Sequence, residues 1–216
     1  LFRSLGGALG GNLAGVLDTS LATLTKQGAG TWTLTGANSY TGSTTVRVDG
    51  TIASSKVLLG YIAGSGITLN KTGTGGIGMD RGATIGTLNI LEGSVAPNAA
   101  NSFTWGSVTI AAGALLENQQ NLTFNAATVA LTVNGTYDLN ARTAGSDVYT
   151  QNIGTLSGSG TISNGTVGTS LATGTQTLNI NSATTDSVFD GVITRNAGGS
   201  VNIGKGGAGT KLTLNG

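Results

Sequence analysis

Lys26 to Gly36 reads K-Q-G-A-G-T-W-T-L-T-G, and Lys205 to Gly216 reads K-G-G-A-G-T-K-L-T-L-N-G. Each stretch holds a Lys, a Gly-Ala-Gly-Thr corner, a short alternating run and a closing Gly. Trp32 and Leu34 alternate with Thr31, Thr33 and Thr35 in the first, and Leu212 and Leu214 alternate with Lys211, Thr213 and Asn215 in the second. Period-two alternation sends one set of side chains to each face of a strand. Glycines around an alanine let the backbone reach positive φ at a tight corner. The unit is therefore a corner followed by a half-buried strand whose Leu and Trp face inward. The Lys pair is 179 residues apart and the closing Gly pair 180, one inserted residue that a turn or bulge absorbs. Upstream, Leu13-Ala14-Gly15-Val16-Leu17 aligns with Phe189-Asp190-Gly191-Val192-Ile193. Repeat modules thus lie near 13–42 and 189–216, and a repeat governs the reading of the whole chain.

Between the modules, short strand-like runs follow one another. Examples are Thr44–Ala53, Ile67–Lys71, Thr84–Leu91, Ser102–Ala111, Thr128–Val133 and Thr175–Ile180. Gly, Asn-Gly (Asn134-Gly135, Asn164-Gly165) or Asp-Gly (Asp49-Gly50, Asp190-Gly191) breaks them. Pro97 falls at an expected loop. Residues 1–23 admit two readings: Leu recurs at every fourth position from Leu1 to Leu17, but Gly6, Gly7, Gly10, Gly11 and Gly15 disfavour a helix. Strand and turn is the expectation, with a helical cap as the alternative. An antiparallel sandwich would yield a similar set of runs. The repeat and the Gly, Thr and Asn bias favour a parallel β-solenoid, one continuous unit over 1–216. At about 20–25 residues per coil it makes roughly nine to eleven coils, a rod of roughly 45–50 Å.

G-A-G-T-W-T-L-T-G-A-N-S-Y-T-G, Gly28 to Gly42, resembles the strand repeat of bacterial autotransporter passenger regions. I-G-T-L-S-G-S-G-T-I, Ile153 to Ile162, is similar to another recurring segment of such proteins, and Val188 to Gly216 resembles the module that leads into A-N-x-Y-T-G. The resemblance covers the two ends and residues 130–216, and is weak over 55–125. It implies a right-handed parallel β-helix at a bacterial cell surface. It implies no catalytic activity, since one scaffold carries many functions.

Composition agrees with a long thin core. Gly accounts for 38 of 216 residues, 38% of the chain is hydrophobic, only 9% is charged, and the net charge is +1. Low hydrophobicity with high net charge would indicate disorder, and neither holds. The ten basic residues are scattered, so no nucleic-acid partner is expected. No apolar run is long enough for a membrane span, and no signal-peptide pattern is present. Without His or Cys, no Ser-His-Asp, Cys-His or thiolate-metal site can form. The carboxylates Asp18, Asp49, Asp80, Glu92, Glu117, Asp138, Asp147, Asp186 and Asp190 read as solvated turn residues. Gly75-Gly76-Ile77-Gly78-Met79-Asp80 matches a calcium-binding nonapeptide once, where tandem copies are needed, and reads as a glycine-rich turn. Asn70, Asn121, Asn134 and Asn164 begin N-x-[ST] patterns of the frequency chance provides. Trp32 is expected to fill core space, and Tyr40 to pack on a corner.

No catalytic, cofactor-binding or metal-ligating residue is therefore assigned. The expected role is structural and extracellular: a stiff surface stalk or adhesin segment, touching host or surface glycans or proteins. The chain also reads as uncapped at its C-terminal end. That points to covalent continuation of the solenoid or to end-to-end self-association as a filament subunit. A carbohydrate-active β-helix enzyme is the remaining alternative; it requires convergent carboxylates in a groove.

Overall fold

A computed structural model describes residues 2–5, 11–15, 23–26, 32–34, 38–39, 44–48, 56–59, 62–79, 83–98, 103–118, 124, 127–139, 148–165, 174–195 and 199–216. Among these, all regular structure is strand, and every pairing is parallel. The fold is a parallel β-solenoid.

Ten strands succeed one another on the first face: Phe2–Leu5, Thr23–Lys26, Thr44–Val48, Ile62–Thr72, Ala83–Ile90, Phe103–Ile110, Ala130–Val133, Thr155–Gly158, Ser187–Phe189 and Leu212–Leu214. Nine form the second face: Gly11–Leu13, Trp32–Leu34, Lys56–Leu59, Gly76–Met79, Ser94–Pro97, Leu115–Glu117, Thr136–Asp138, Thr161–Ser163 and Val192–Ile193. Thr150–Ile153, Thr175–Ile180 and Ser200–Lys205 make a third. Earlier in the chain the third face is supplied by the first halves of Ile62–Thr72, Ala83–Ile90 and Phe103–Ile110. The last two bend around one-residue corners at Gly86 and Gly106, where a Cβ on Gly106 would lie 2.4 Å from the Gly86 carbonyl oxygen, whereas Ile62–Thr72 has a longer corner, since Ile85 pairs with Gly64 but Thr87 with Thr68. Coil length varies, since Leu69 sits beside Leu88 but Ser157 beside Val188. At one strand spacing per coil, ten rungs rise about 45 Å.

The alternation in each strand fills the interior with stacked columns. On the first face Leu69, Leu88, Val108, Leu131 and Leu156 form one column, and Val46, Lys71, Ile90, Ile110 and Val133 the next; all are buried. On the other faces an aromatic run crosses the core. Phe103 stacks on Trp105 at 5.2 Å, Trp105 meets Phe124 at 5.8 Å, and Phe124 meets Tyr137 edge-on at 5.8 Å. Such pairs add about 0.5–1.5 kcal/mol each beyond their area. Buried glutamines fill gaps in the ladder: Gln151 Oε1 accepts from the Phe124 N–H at 2.8 Å, and Gln176 Oε1 from the Tyr149 N–H at 3.0 Å. Both backbone donors would otherwise be buried and unpaired.

A glycine column marks the corner between the first and second faces. A Cβ on Gly135 would meet the Ala111 and Ala114 carbonyl oxygens at 2.3 Å, one on Gly160 the Gly135 oxygen at 2.2 Å, and one on Gly191 the Gly160 oxygen at 2.1 Å. The rungs stack there backbone on backbone.

Several sequence expectations are refined. In residues 1–23 the described parts are strands, Phe2–Leu5 and Gly11–Leu13. Pro97 ends a strand and pairs with Met79. Gly76–Met79 is a buried strand with Ile77 and Met79 in the core, so the glycine-rich segment is a corner plus a strand and not a turn alone; Asp80 lies outside the described residues. The two sequence modules occupy different faces: Trp32–Leu34 belongs to the second face and Leu212–Leu214 to the first. What recurs is the local strand–corner–strand path, which every corner of a solenoid can use. Leu214 is in register with the buried Phe189 but is 46% exposed.

Candidate functional site

Asp18, Asp49, Asp80 and Asp147 lie outside the described residues, and the described carboxylates separate into two groups. Asp186 and Asp190 are exposed at turns, where Asp186 Oδ1 accepts the Lys211 N–H at 2.8 Å and Asp190 Oδ1 accepts from Asn215 Nδ2 at 2.6 Å. Glu92 is also exposed and takes the Gly73 N–H on Oε2 at 2.8 Å. Glu117 and Asp138 overturn the reading of solvated turn residues. They sit opposite each other on adjacent rungs of the second face, Glu117 at 9% exposure and Asp138 at 0%. Asp138 Oδ1 accepts the Gly165 N–H at 2.6 Å, which ties the start of the next loop to the rung below. Both carboxylates are partnered, as buried charge requires.

Beside them, Tyr137 is fully buried and its hydroxyl accepts from Asn118 Nδ2 at 2.8 Å. Burial pushes the Tyr137 hydroxyl well above its ordinary range; the Asn118 hydrogen bond lowers it and the Asp138 charge raises it further. Tyr137 is therefore a neutral structural group at any physiological pH. Among the described residues no three Asp or Glu side chains come together. The stacked Glu117–Asp138 pair lies along a ladder under cover, whereas acid–base glycoside cleavage needs two carboxylates flanking a bound sugar.

Two lysines do structural work that the sequence reading assigned to none of them. Lys71 is 0% exposed within a core column, between Val46 and Ile90, and its Nζ donates to the carbonyl oxygens of Thr72 at 2.8 Å, Gly73 at 2.6 Å and Glu92 at 3.0 Å. Lys205 repeats this with Gly206, Gly207 at 3.1 Å and Ser182 at 3.4 Å. Gly73 and Gly207 both have φ of 75°, so the corner carbonyls turn inward toward the ammonium. The pattern is K-x-G-x-G, present at Lys26, Lys71 and Lys205. Its spacing was the available signal, and Lys71 was missed because Thr74 replaces the Ala of the other two copies.

The outward face carries polar ladders between rungs. Asn89 Nδ2 donates to Asn70 Oδ1 at 2.9 Å, Ser107 Oγ to Thr87 Oγ1 at 3.2 Å, Asn179 Nδ2 to Asn152 Oδ1 at 3.0 Å, and Thr132 and Ser157 hydroxyls meet at 3.0 Å. Of the N-x-[ST] asparagines, Asn70 is held in a ladder, Asn164 is buried, Asn134 is exposed, and Asn121 lies outside the described residues. Trp32 is half-buried against the core, and its ring covers Gly11. Tyr40 lies outside the described residues.

A cleft of about 640 Å³ opens at the corner between the third and first faces, lined by Ala127, Thr128, Ala130, Gly154, Thr155 and residues 181–185. None of these is acidic, basic or aromatic.

A parallel β-solenoid with an apolar core and ladders of small polar groups outside is the architecture of a repeat protein. The family model of the passenger-associated-transport-repeat matches residues 24–53, which include the Lys26–Gly36 stretch. The repeat and the solenoid together fit an autotransporter passenger region. No curated protein and no solved structure matches the chain significantly.

Proposed function

We propose that this chain is a non-catalytic, exported segment of an autotransporter-type passenger, a stiff stalk that carries an adhesive surface away from the bacterial cell. The observation that supports this most is the parallel stack: ten strands pair in succession on the first face, so load is carried by successive ladders of backbone hydrogen bonds. The passenger repeat implies a surface or secreted setting. The outer faces of Thr, Ser and Asn, with few charges, suit contact with neutral surface polymers more than with nucleic acid.

Beads coated with the purified chain are the test, measured for retention on glycan-bearing and protein-bearing surfaces. Retention above uncoated beads without release of sugar fragments supports the reading. Release of fragments would overturn the non-catalytic part, and no retention anywhere would overturn the adhesive part.

A second reading is favoured by the last rung. Leu214, in register with the buried Phe189, is 46% exposed, and Ile193, in register with the buried Ile162, is only partly covered. That rung can be continued by further coils of a longer chain or by the first coil of another copy. A head-to-tail contact of the second kind does not close and would propagate as a filament. Electron microscopy separates the two, since monodisperse short rods at high concentration would eliminate the filament.

A further inference from the structure

We propose that the cleft at Gly154 is a binding site for one neutral sugar unit, which names the ligand class for the adhesive surface and rests on that reading. The cleft is built by unequal corners. Between the third and first faces a single residue, Gly154, joins Thr150–Ile153 to Thr155–Gly158, whereas residues 181–186 join Thr175–Ile180 to Ser187–Phe189. The one-residue corner is recessed between the Ala127–Ala130 corner below and the longer corner above. Its floor cannot be filled from within, because a Cβ on Gly154 would lie 2.4 Å from the Ala127 carbonyl oxygen.

The walls are fixed in place. The Gly154 and Thr155 N–H groups donate to the Val129 oxygen at 2.8 and 3.1 Å, and the Ser182 N–H donates to the Gly154 oxygen at 2.9 Å. Ser182 Oγ accepts from Thr184 and Thr185 N–H at 3.3 and 3.0 Å, and Thr210 Oγ1 donates to the Ser182 oxygen at 2.6 Å. The overhang is thus tied to itself, to the rung below and to the rung above, and binding would cost little ordering entropy.

The lining selects the ligand. Without Lys, Arg, Asp or Glu, a phosphate, carboxylate or ammonium would lose water and find no counter-charge. Without an aromatic ring there is no platform for a nucleobase. What remains are hydroxyls of Thr128, Thr155, Thr184 and Thr185 and the Asn181 amide, interleaved with the methyls of Ala127, Ala130 and Ala183. A neutral pyranose offers the same alternation of hydroxyl and C–H groups. The cleft volume of about 640 Å³ lies within the range of small-molecule sites.

The test is amide-resolved NMR titration of the full chain with glucose, galactose, mannose and N-acetylglucosamine, and with glucuronic acid as the charged comparison. At least one neutral sugar is expected to shift the amides of Gly154, Thr155 and residues 181–185 in a saturable way. Ala130→Trp, at an exposed cleft position, should weaken that binding at least tenfold while amides away from the cleft keep their positions. Thr184→Arg, on the exposed overhang, serves the same purpose if Ala130→Trp does not fold. Absence of cleft shifts with every neutral sugar, equal or tighter binding of glucuronic acid, or binding unchanged by the blocking substitutions would each overturn the proposal. Bead retention that survives a blocked cleft would place the adhesive contact elsewhere and leave the stalk reading intact.

Discussion

Gly160→Ala should be among the most damaging single-methyl additions in this chain. Gly160 sits on the corner between the first and second faces, and an added Cβ would lie 2.2 Å from the Gly135 oxygen, 2.6 Å from the Asn134 carbonyl carbon and 2.9 Å from the Asn134 oxygen. Ordinary contact begins near 3.4 Å, so the rungs must part by about 1 Å locally, against backbone atoms that cannot rotate away. The corner is held by the Gly160 N–H to the Val133 oxygen and the Thr161 N–H to the Gly135 oxygen, both 2.8 Å. Weakening two such bonds costs about 0.5–1.5 kcal/mol each, and overpacking adds about 1–3 kcal/mol. The expected loss is about 2–6 kcal/mol. Two controls isolate the cause. Gly113 has φ of 79° but open space around its Cβ position, so Gly113→Ala should cost about 1–2 kcal/mol for the left-handed backbone alone. Gly66 has open space and an ordinary φ, so Gly66→Ala should stay within about 0.5 kcal/mol of the parent. Urea unfolding gives the ranking, and amide exchange around residues 133–137 and 158–163 reports whether the damage is local, as nearest-neighbour stacking requires. Equal midpoints for Gly160→Ala and Gly66→Ala would refute rung-on-rung contact at this corner.

Three further outcomes are expected. Lys71→Met keeps the buried volume but leaves the Thr72, Gly73 and Glu92 oxygens without their ammonium donor, and should cost about 2–4 kcal/mol in urea; a neutral result would show that relief of the buried charge outweighs the lost bonds. Because the Tyr137 hydroxyl is raised in the folded state, its contribution is fully present below the unfolded tyrosine range and is lost as pH rises through about 10, at up to about 1.4 kcal/mol per pH unit; Tyr137→Phe should flatten that alkaline fall, and an identical profile would exclude Tyr137 as its source. Calcium and chelator should give the same melting midpoint, whereas a rise of several degrees with calcium would reveal a native-state site.

Much of the solenoid was legible because a strand writes its burial as a period of two: Val108 and Ile110, Leu131 and Val133, and Leu178 and Ile180 all face the core as their spacing implies. The face on which a strand falls was not legible. Similar corner-and-strand sequences serve different corners, and coil length is set by loops such as residues 181–186, whose insertion changes no pattern in the strands. The burial of Glu117 and Asp138 was hidden for a related reason. They alternate with the buried Leu116 and Tyr137, on the side that faces solvent in most strands, so a period of two does not announce their burial. The cleft arises from the difference between neighbouring corners, a quantity that belongs to no single stretch of sequence.

Disulfide trapping between rungs tests the parallel register most directly, because the chain has no cysteine of its own. Thr132 and Ser157 are register partners with their hydroxyls 3.0 Å apart on the outer face. One strand spacing of about 4.8 Å between their Cα atoms falls inside the range a disulfide spans. The Thr132→Cys/Ser157→Cys pair should oxidise rapidly and nearly completely within single molecules, as read by mass spectrometry without reductant. The Thr132→Cys/Val188→Cys pair, two rungs apart, should not. Efficient closure of the two-rung pair with failure of the one-rung pair would contradict the solenoid register on which the account stands.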